Sequence, residues 1–124
     1  VAGVGEYRAK VQLRANATLA LSLARTAGSA ETVLAPSAVV PGLTFSPGDR
    51  LLVRLQVTGT SPTTVRARVW KAGTAEPGTW QASRTDATSA LQRPGSIGLN
   101  IYLSSSATNT PLTVLVDDLV AGTP

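Results

Sequence analysis

A two-residue alternation of apolar and polar side chains runs through most of this chain. Successive side chains of a β-strand point to opposite faces, so this period suits a strand with one face buried and cannot form the apolar stripe of a helix. Tyr7, Ala9, Val11 and Leu13 alternate with Arg8, Lys10, Gln12 and Arg14. Leu19, Leu21 and Leu23 alternate with Ala20, Ser22 and Ala24. Leu51, Val53, Leu55 and Val57 share one phase, and Val65, Ala67 and Val69 share another against Arg66, Arg68 and Trp70. Ile97, Leu99, Ile101 and Leu103 repeat the pattern, as do Leu112, Val114, Val116 and Asp118. Weaker strands are predicted at Glu31 to Pro36 and at Thr79 to Thr85.

Turn chemistry separates these runs. Ala15-Asn16-Ala17 and Ala27-Gly28-Ser29 are short enough for hairpins. Ser46-Pro47-Gly48-Asp49 places Pro at the favoured second position of a β-turn. Thr58 to Pro62, Ala72 to Gly78 and Ser104 to Pro111 supply the longer polar connections. A single helical turn is expected at Asp86 to Leu91, with Asp86 as its cap. Eight short strands divided by such turns predict an all-β fold, an antiparallel β-sandwich. The 124 residues fit one domain. Residue 1 is not a translation start, which marks a processed product or a piece of a longer chain. If strands upstream of Val1 have been removed, some apolar faces should lack cover.

Composition removes whole classes of chemistry. Cys and His are both absent, which eliminates disulfides, Cys/His zinc sites and every Ser-His or Cys-His catalytic pair. Charged residues are 15% of the chain against roughly 25% in typical domains. A hydrophobic content of 43% is too high for a disordered segment. No apolar run approaches the roughly 18 residues of a membrane-spanning helix, so membrane insertion is not expected. The Thr, Gly and Ala richness, with nine Arg against two Lys, is typical of exported proteins from GC-rich bacteria.

Three groups of residues are candidates for a ligand. Arg8, Lys10 and Arg14 share one strand face, Arg50 and Arg54 another, and Arg66 and Arg68 a third. Were these strands neighbours in one sheet, the cations would line one outer face. Such a face suits an acidic polysaccharide, or serves as a solvated surface with arginine stems over apolar neighbours. A net charge of +4 and five aromatic residues argue against nucleic acid. Trp70 and Tyr102 fall on the polar phase of their strands and could stack on sugar rings. Trp80 could pack against Trp70 and pin the intervening loop instead. Asp117 and Asp118 are adjacent, so on a strand they point to opposite faces and cannot form a facing glycosidase pair. One of them shares the phase of Val114 and Val116, where a carboxylate needs a salt bridge to an arginine or a metal such as calcium. Asn16-Ala17-Thr18 matches a glycosylation sequon.

Several of these blocks together resemble a known family. Glu6-Tyr7-Arg8-Ala9-Lys10-Val11 looks like an early strand of laminin-G-like, concanavalin-A-like domains. Arg66-Ala67-Arg68-Val69-Trp70, followed by Gly73, Glu76-Pro77 and Trp80, resembles their Lys/Arg-x-Trp hairpin. Pro94 to Leu99 resembles their next turn and strand, and Val116-Asp117-Asp118-Leu119 the closing strand of jelly-roll lectin modules. The chain resembles the later part of such a domain. The resemblance implies a jelly roll of two curved sheets and export to the cell surface, as in actinobacterial surface proteins. It implies a structural Ca2+ served by Asp117 or Asp118. The expected function is noncatalytic carbohydrate binding, with Trp70, Tyr102, Trp80, Arg54, Arg66 and Arg68 as contacts. A spacer or adhesive module without sugar binding is the alternative, and a glycoside-hydrolase fragment a third. No Glu-x-Asp-x-Glu strand supports that third reading. Partners would be a glycan, the upstream strands, or another chain paired at a free sheet edge.

Overall fold

The computed structural model describes residues 1–123. Six strands form, β1 Gly5–Leu13, β2 Thr18–Ala27, β3 Ala30–Thr44, β4 Leu51–Thr58, β5 Thr63–Lys71 and β6 Ala82–Asp86. A 3₁₀ turn at Ser89–Leu91 follows them. Among the described residues there is no α-helix, and no helix is long and apolar enough to cross a membrane. The strands make two antiparallel sheets in simple sequential order, β1-β2-β3 and β4-β5-β6.

The alternation decides what each sheet buries. Leu21, Leu23, Ala35 and Val40 of the first sheet meet Val65, Ala67 and Val69 of the second in one cluster. Tyr7, Ala9 and Val11 of β1 and Ala82 of β6 pack against it. The turns follow their residue chemistry. Ala27 pairs with Ala30, leaving Gly28-Ser29 as a two-residue loop with Gly28 at φ +59°, the left-handed conformation that tight hairpin turns require. The Asp49 N–H donates to the Ser46 carbonyl at 3.0 Å with Gly48 at φ +89°, which is the Pro-Gly turn expected there.

Three differences from the sequence reading have physical causes. Strand β3 does not stop at Pro36 but runs to Thr44 through Pro36 and Pro41. It pairs only with β2, and an edge strand tolerates residues without an N–H donor. Strand β6 begins at Ala82 rather than Thr79. Just before it the Gln81 side chain stands in for a rung of the ladder. The Val69 N–H donates to Gln81 Oε1 at 2.8 Å, and Gln81 Nε2 donates to the Val69 carbonyl at 2.9 Å. The predicted strands at Ile97 to Ser104 and Leu112 to Leu119 are absent, and both segments lack ladder partners. Alternation gives a segment the side chains of a strand, but a strand exists only when a neighbour takes up its backbone groups.

The two sheets do not overlie one another fully. Strand β3 faces β6, β2 faces β5 and β6, and β1 faces β5. No strand of the first sheet covers β4 to a comparable extent. Of its inward row Leu51 packs on the core cluster, whereas Val53, Leu55 and Val57 remain 51%, 43% and 43% exposed. One side of the sandwich is therefore open.

A polar junction closes the end where β1 begins. Tyr7 Oη donates to Asp86 Oδ2 at 2.8 Å, and Arg25 Nε lies 3.1 Å from Asp86 Oδ1. The Thr88 N–H and hydroxyl donate to the same carboxylate. Asp86 therefore steadies the 3₁₀ turn from two residues ahead of Thr88, and Thr88 is the capping residue. Gln92 adds bonds from Nε2 to Tyr7 Oη and to the Asp86 carbonyl, while its Oε1 accepts from the Thr63 hydroxyl and the Ser61 N–H. Burial raises the Asp86 carboxyl, but the bonds from Thr88 and Tyr7 and the Arg25 charge outweigh it and hold the carboxyl below its ordinary value. Burial and the neighbouring carboxylate push the Tyr7 phenol up.

Candidate functional site

The expected row of cations divides between the sheets. Arg8 and Lys10 lie on the first sheet, and Arg14 follows directly after β1. Arg8 Nη1 lies 3.1 Å, and Lys10 Nζ 2.7 Å, from the Glu31 carboxylate, while Arg8 also pairs with Glu6. Arg14 donates to Gln12 and Ser37. Arg54, Arg66 and Arg68 belong to the second sheet, where Arg54 is directly opposite Arg68 and Gln56 opposite Arg66. The common basic face is thus replaced by two separate clusters, because the strands that carry it lie in different layers.

The second cluster is the more organised. The Arg66 and Arg68 guanidinium carbons lie 4.7 and 4.4 Å from the centre of the Trp80 ring. Cations over the indole face are attracted by its negative quadrupole, by about 0.5–2 kcal/mol per contact. Glu76 reaches in from the loop after β5, its Oε1 at 2.5 Å from Arg68 Nη2 and 3.0 Å from Arg54 Nε. Arg68 also donates to the Pro77 carbonyl and Arg66 to Gln56 Oε1. The Gln81 rung fixes this loop to β5 and so places Trp80 over the arginines.

Trp70 and Trp80 line different depressions. Trp70, half-buried, lines one of about 300 Å³ with Lys71, Thr74, Pro77 and the end of β3. Trp80 lines one of about 360 Å³ with Ser83, Arg84 and Ala35 to Ala38 of β3. Gln81 lines both, so the two depressions adjoin there and make an interrupted strip along the β3–β6 side, with an indole in each half. Tyr102 joins neither depression and stands 85% exposed on the segment that follows the sheets. The sequence missed Gln81, Lys71 and Arg84 as companions of the tryptophans. The available signals are the adjacencies Trp70-Lys71 and Trp80-Gln81.

Asp117 and Asp118 do not point to opposite faces, because they do not lie on a strand. Asp118 adopts φ +52°, and this left-handed turn brings both carboxylates to Arg50. Asp117 Oδ1 is 3.0 Å from Arg50 Nη2, and Asp118 pairs with the same nitrogen. Among the described residues no third carboxylate joins them, and no group of three or more acidic side chains comes together. A guanidinium at the centre repels a divalent cation, and Ca2+ takes six to eight oxygens. The residues present do not fit calcium, and the salt bridge to arginine is the observed arrangement.

Every one of the seven carboxylates lies against a cation. Glu6, Glu31, Asp117 and Asp118 are paired as described, Asp49 with Lys71 at 2.7 Å, Glu76 with Arg54 and Arg68, and Asp86 with Arg25. Lys71 and the Ser46 N–H hold Asp49 below its ordinary value, and Lys10 and Arg8 do the same for Glu31. No protein-family model, curated protein or solved structure matches this chain.

Proposed function

We propose that the chain is a noncatalytic carbohydrate-binding module, of the concanavalin-A-like, jelly-roll kind, carried by an exported cell-surface protein or glycan-degrading enzyme. The observation that carries this reading is the strip with Trp70 and Trp80 in its two halves. Sugar rings present apolar C–H faces that stack on indoles and hydroxyls that need hydrogen-bond partners. Trp70 offers the freer ring, since Trp80 already carries Arg66 and Arg68. Lys71, Gln81, Ser83 and Arg84 supply donors along the strip, and the Thr74 hydroxyl, which donates to the Lys71 carbonyl, supplies an acceptor. Among the described residues, Arg66 and Arg84 have no carboxylate partner within ion-pair distance, and they would favour an acidic glycan. The pairing of all seven acidic side chains with cations supports a role without paired catalytic carboxylates.

The test is calorimetric titration of the chain with neutral and uronic-acid oligosaccharides. The reading expects binding that falls at least tenfold in Trp70→Ala and becomes indifferent to glycan charge in an Arg66→Gln, Arg84→Gln variant. Absence of binding to the whole panel would leave the second reading, a structural or adhesive interaction domain. The open β4 side of the sandwich favours that alternative.

A further inference from the structure

We propose that the segment 94–116 is a strand-forming arm that docks on the open β4 side of a second copy of this chain, the two copies exchanging arms reciprocally. The arm has the pattern of strands without their environment. Ile97, Leu99, Ile101 and Leu103 recur at every second position and are 63%, 61%, 56% and 45% exposed. Leu112, Val114 and Val116 repeat the period and are half exposed. Residues 94–116 carry no charge at all, so no charged side chain in the arm opposes pairing with another backbone.

A complementary site stands open. Strands β1 and β4 are edges of their sheets, each with one side of its backbone unpaired. Between them lies the apolar row Val53, Leu55 and Val57, which no strand of the first sheet covers. A strand added beside β1 would continue that sheet over β4 and bury this row together with its own alternate side chains.

Surface area measures what is unsatisfied. A compact monomer of 12.7 kDa exposes about 6,200 Å². This chain exposes 8453 Å², an excess of about 2,200 Å² over that compact value. Covering the excess on both copies falls in the range of obligate interfaces, about 2,000–5,000 Å² in total.

The arm leaves its own chain's open side uncovered, although both of its ends are tied to the sheets. Gln92 fixes its start to Tyr7, Thr63 and Asp86. Arg50 holds its far end through Asp117 and Asp118. Between these anchors the residues stay exposed while the β4 row stays exposed too. A second copy meets both needs at once, and a two-fold exchange satisfies both chains equally.

The chain has no cysteine, which makes the test direct. Light scattering of the purified chain at about 100 µM, a hundred times a micromolar Kd, should give twice the chain mass. Leu55→Cys chains mixed with Ile101→Cys chains should then yield a disulfide-linked heterodimer under mild oxidation. Ile101→Asp should return the chain to a folded monomer, with unchanged near-ultraviolet circular dichroism from Trp70 and Trp80. A wild-type monomer throughout the concentration range overturns the proposal. So does a dimer unaffected by both Ile101→Asp and Leu55→Asp, or a cross-link confined to one chain in the double-cysteine variant.

Discussion

Strand β5 and the segment from Ile97 to Leu103 carry the same pattern and meet opposite fates. Val65, Ala67 and Val69 are fully buried, and the residues between them face outward. Ile97, Leu99 and Ile101 are more than half exposed. What differs is the number of neighbours. Strand β5 lies between β4 and β6 and under the first sheet, so its backbone and inner face are both taken up. The later segment has neither a ladder nor an opposing layer. Period-two alternation therefore measures a capacity to join a sheet, and the available edges determine whether that capacity is used.

The largest effect that would break this contrast lies in the core. Leu23→Ala, at a fully buried position, should lower stability by about 2–5 kcal/mol in denaturant unfolding. The matching truncation Leu99→Ala should leave the unfolding of the sheets unchanged in chains held as monomers by dilution. Equal losses at the two positions would show that the later segment is packed within its own chain.

Next in size is the polar junction that closes the sandwich. Asp86→Ala removes the acceptor of Tyr7 and Thr88 and the ion-pair partner of Arg25, and should destabilise by about 1–3 kcal/mol. The wild-type junction is pH-dependent with a defined sign. The folded carboxyl sits below its unfolded value of about 3.9, so its stabilisation is present above that value and is lost as pH falls through the folded one. Unfolding curves between pH 5 and 2 should show Asp86→Asn losing less stability than the wild type.

A smaller effect is expected at the Gln81 rung. Gln81→Ala leaves the Val69 N–H and carbonyl without their partners and should cost about 1–2 kcal/mol. It should also release Trp80 from Arg66 and Arg68, shifting indole fluorescence toward that of exposed tryptophan. The smallest effect belongs to the surface of the first sheet. Glu31→Gln breaks the pairs with Arg8 and Lys10 on a solvated face, and the denaturant midpoint should not move measurably.

How much of this was readable in advance depended on whether the cause was local. Four of the six strands lie on clear alternation, β6 carries only a weak signal starting at Thr79, and Gly28 and Gly48 mark turns. Strand β3 was cut short at Pro36 because its edge position, which tolerates proline, is a property of the sheet. The residues from Ile97 and from Leu112 misled for the same reason, since their pattern is local and their missing neighbours are not. At the candidate site the sequence named both tryptophans and the arginines. It could not assign Arg54 and Arg68 to Glu76, place two cations on Trp80, or separate Trp70 from it. Those contacts arise from the loop Ala72 to Gln81 folding back over β5. Asp117 and Asp118 were read as strand residues, and the left-handed turn at Asp118 overturned that geometry.

The most direct test of the central contrast is amide hydrogen exchange, resolved by residue and followed against protein concentration. Amides of β5 should be protected at every concentration. Those of residues 97–103 should exchange freely in dilute chains and gain protection of at least a hundredfold as the chain associates. Free exchange of these residues at all concentrations, or protection already complete in the dilute monomer, would contradict the account.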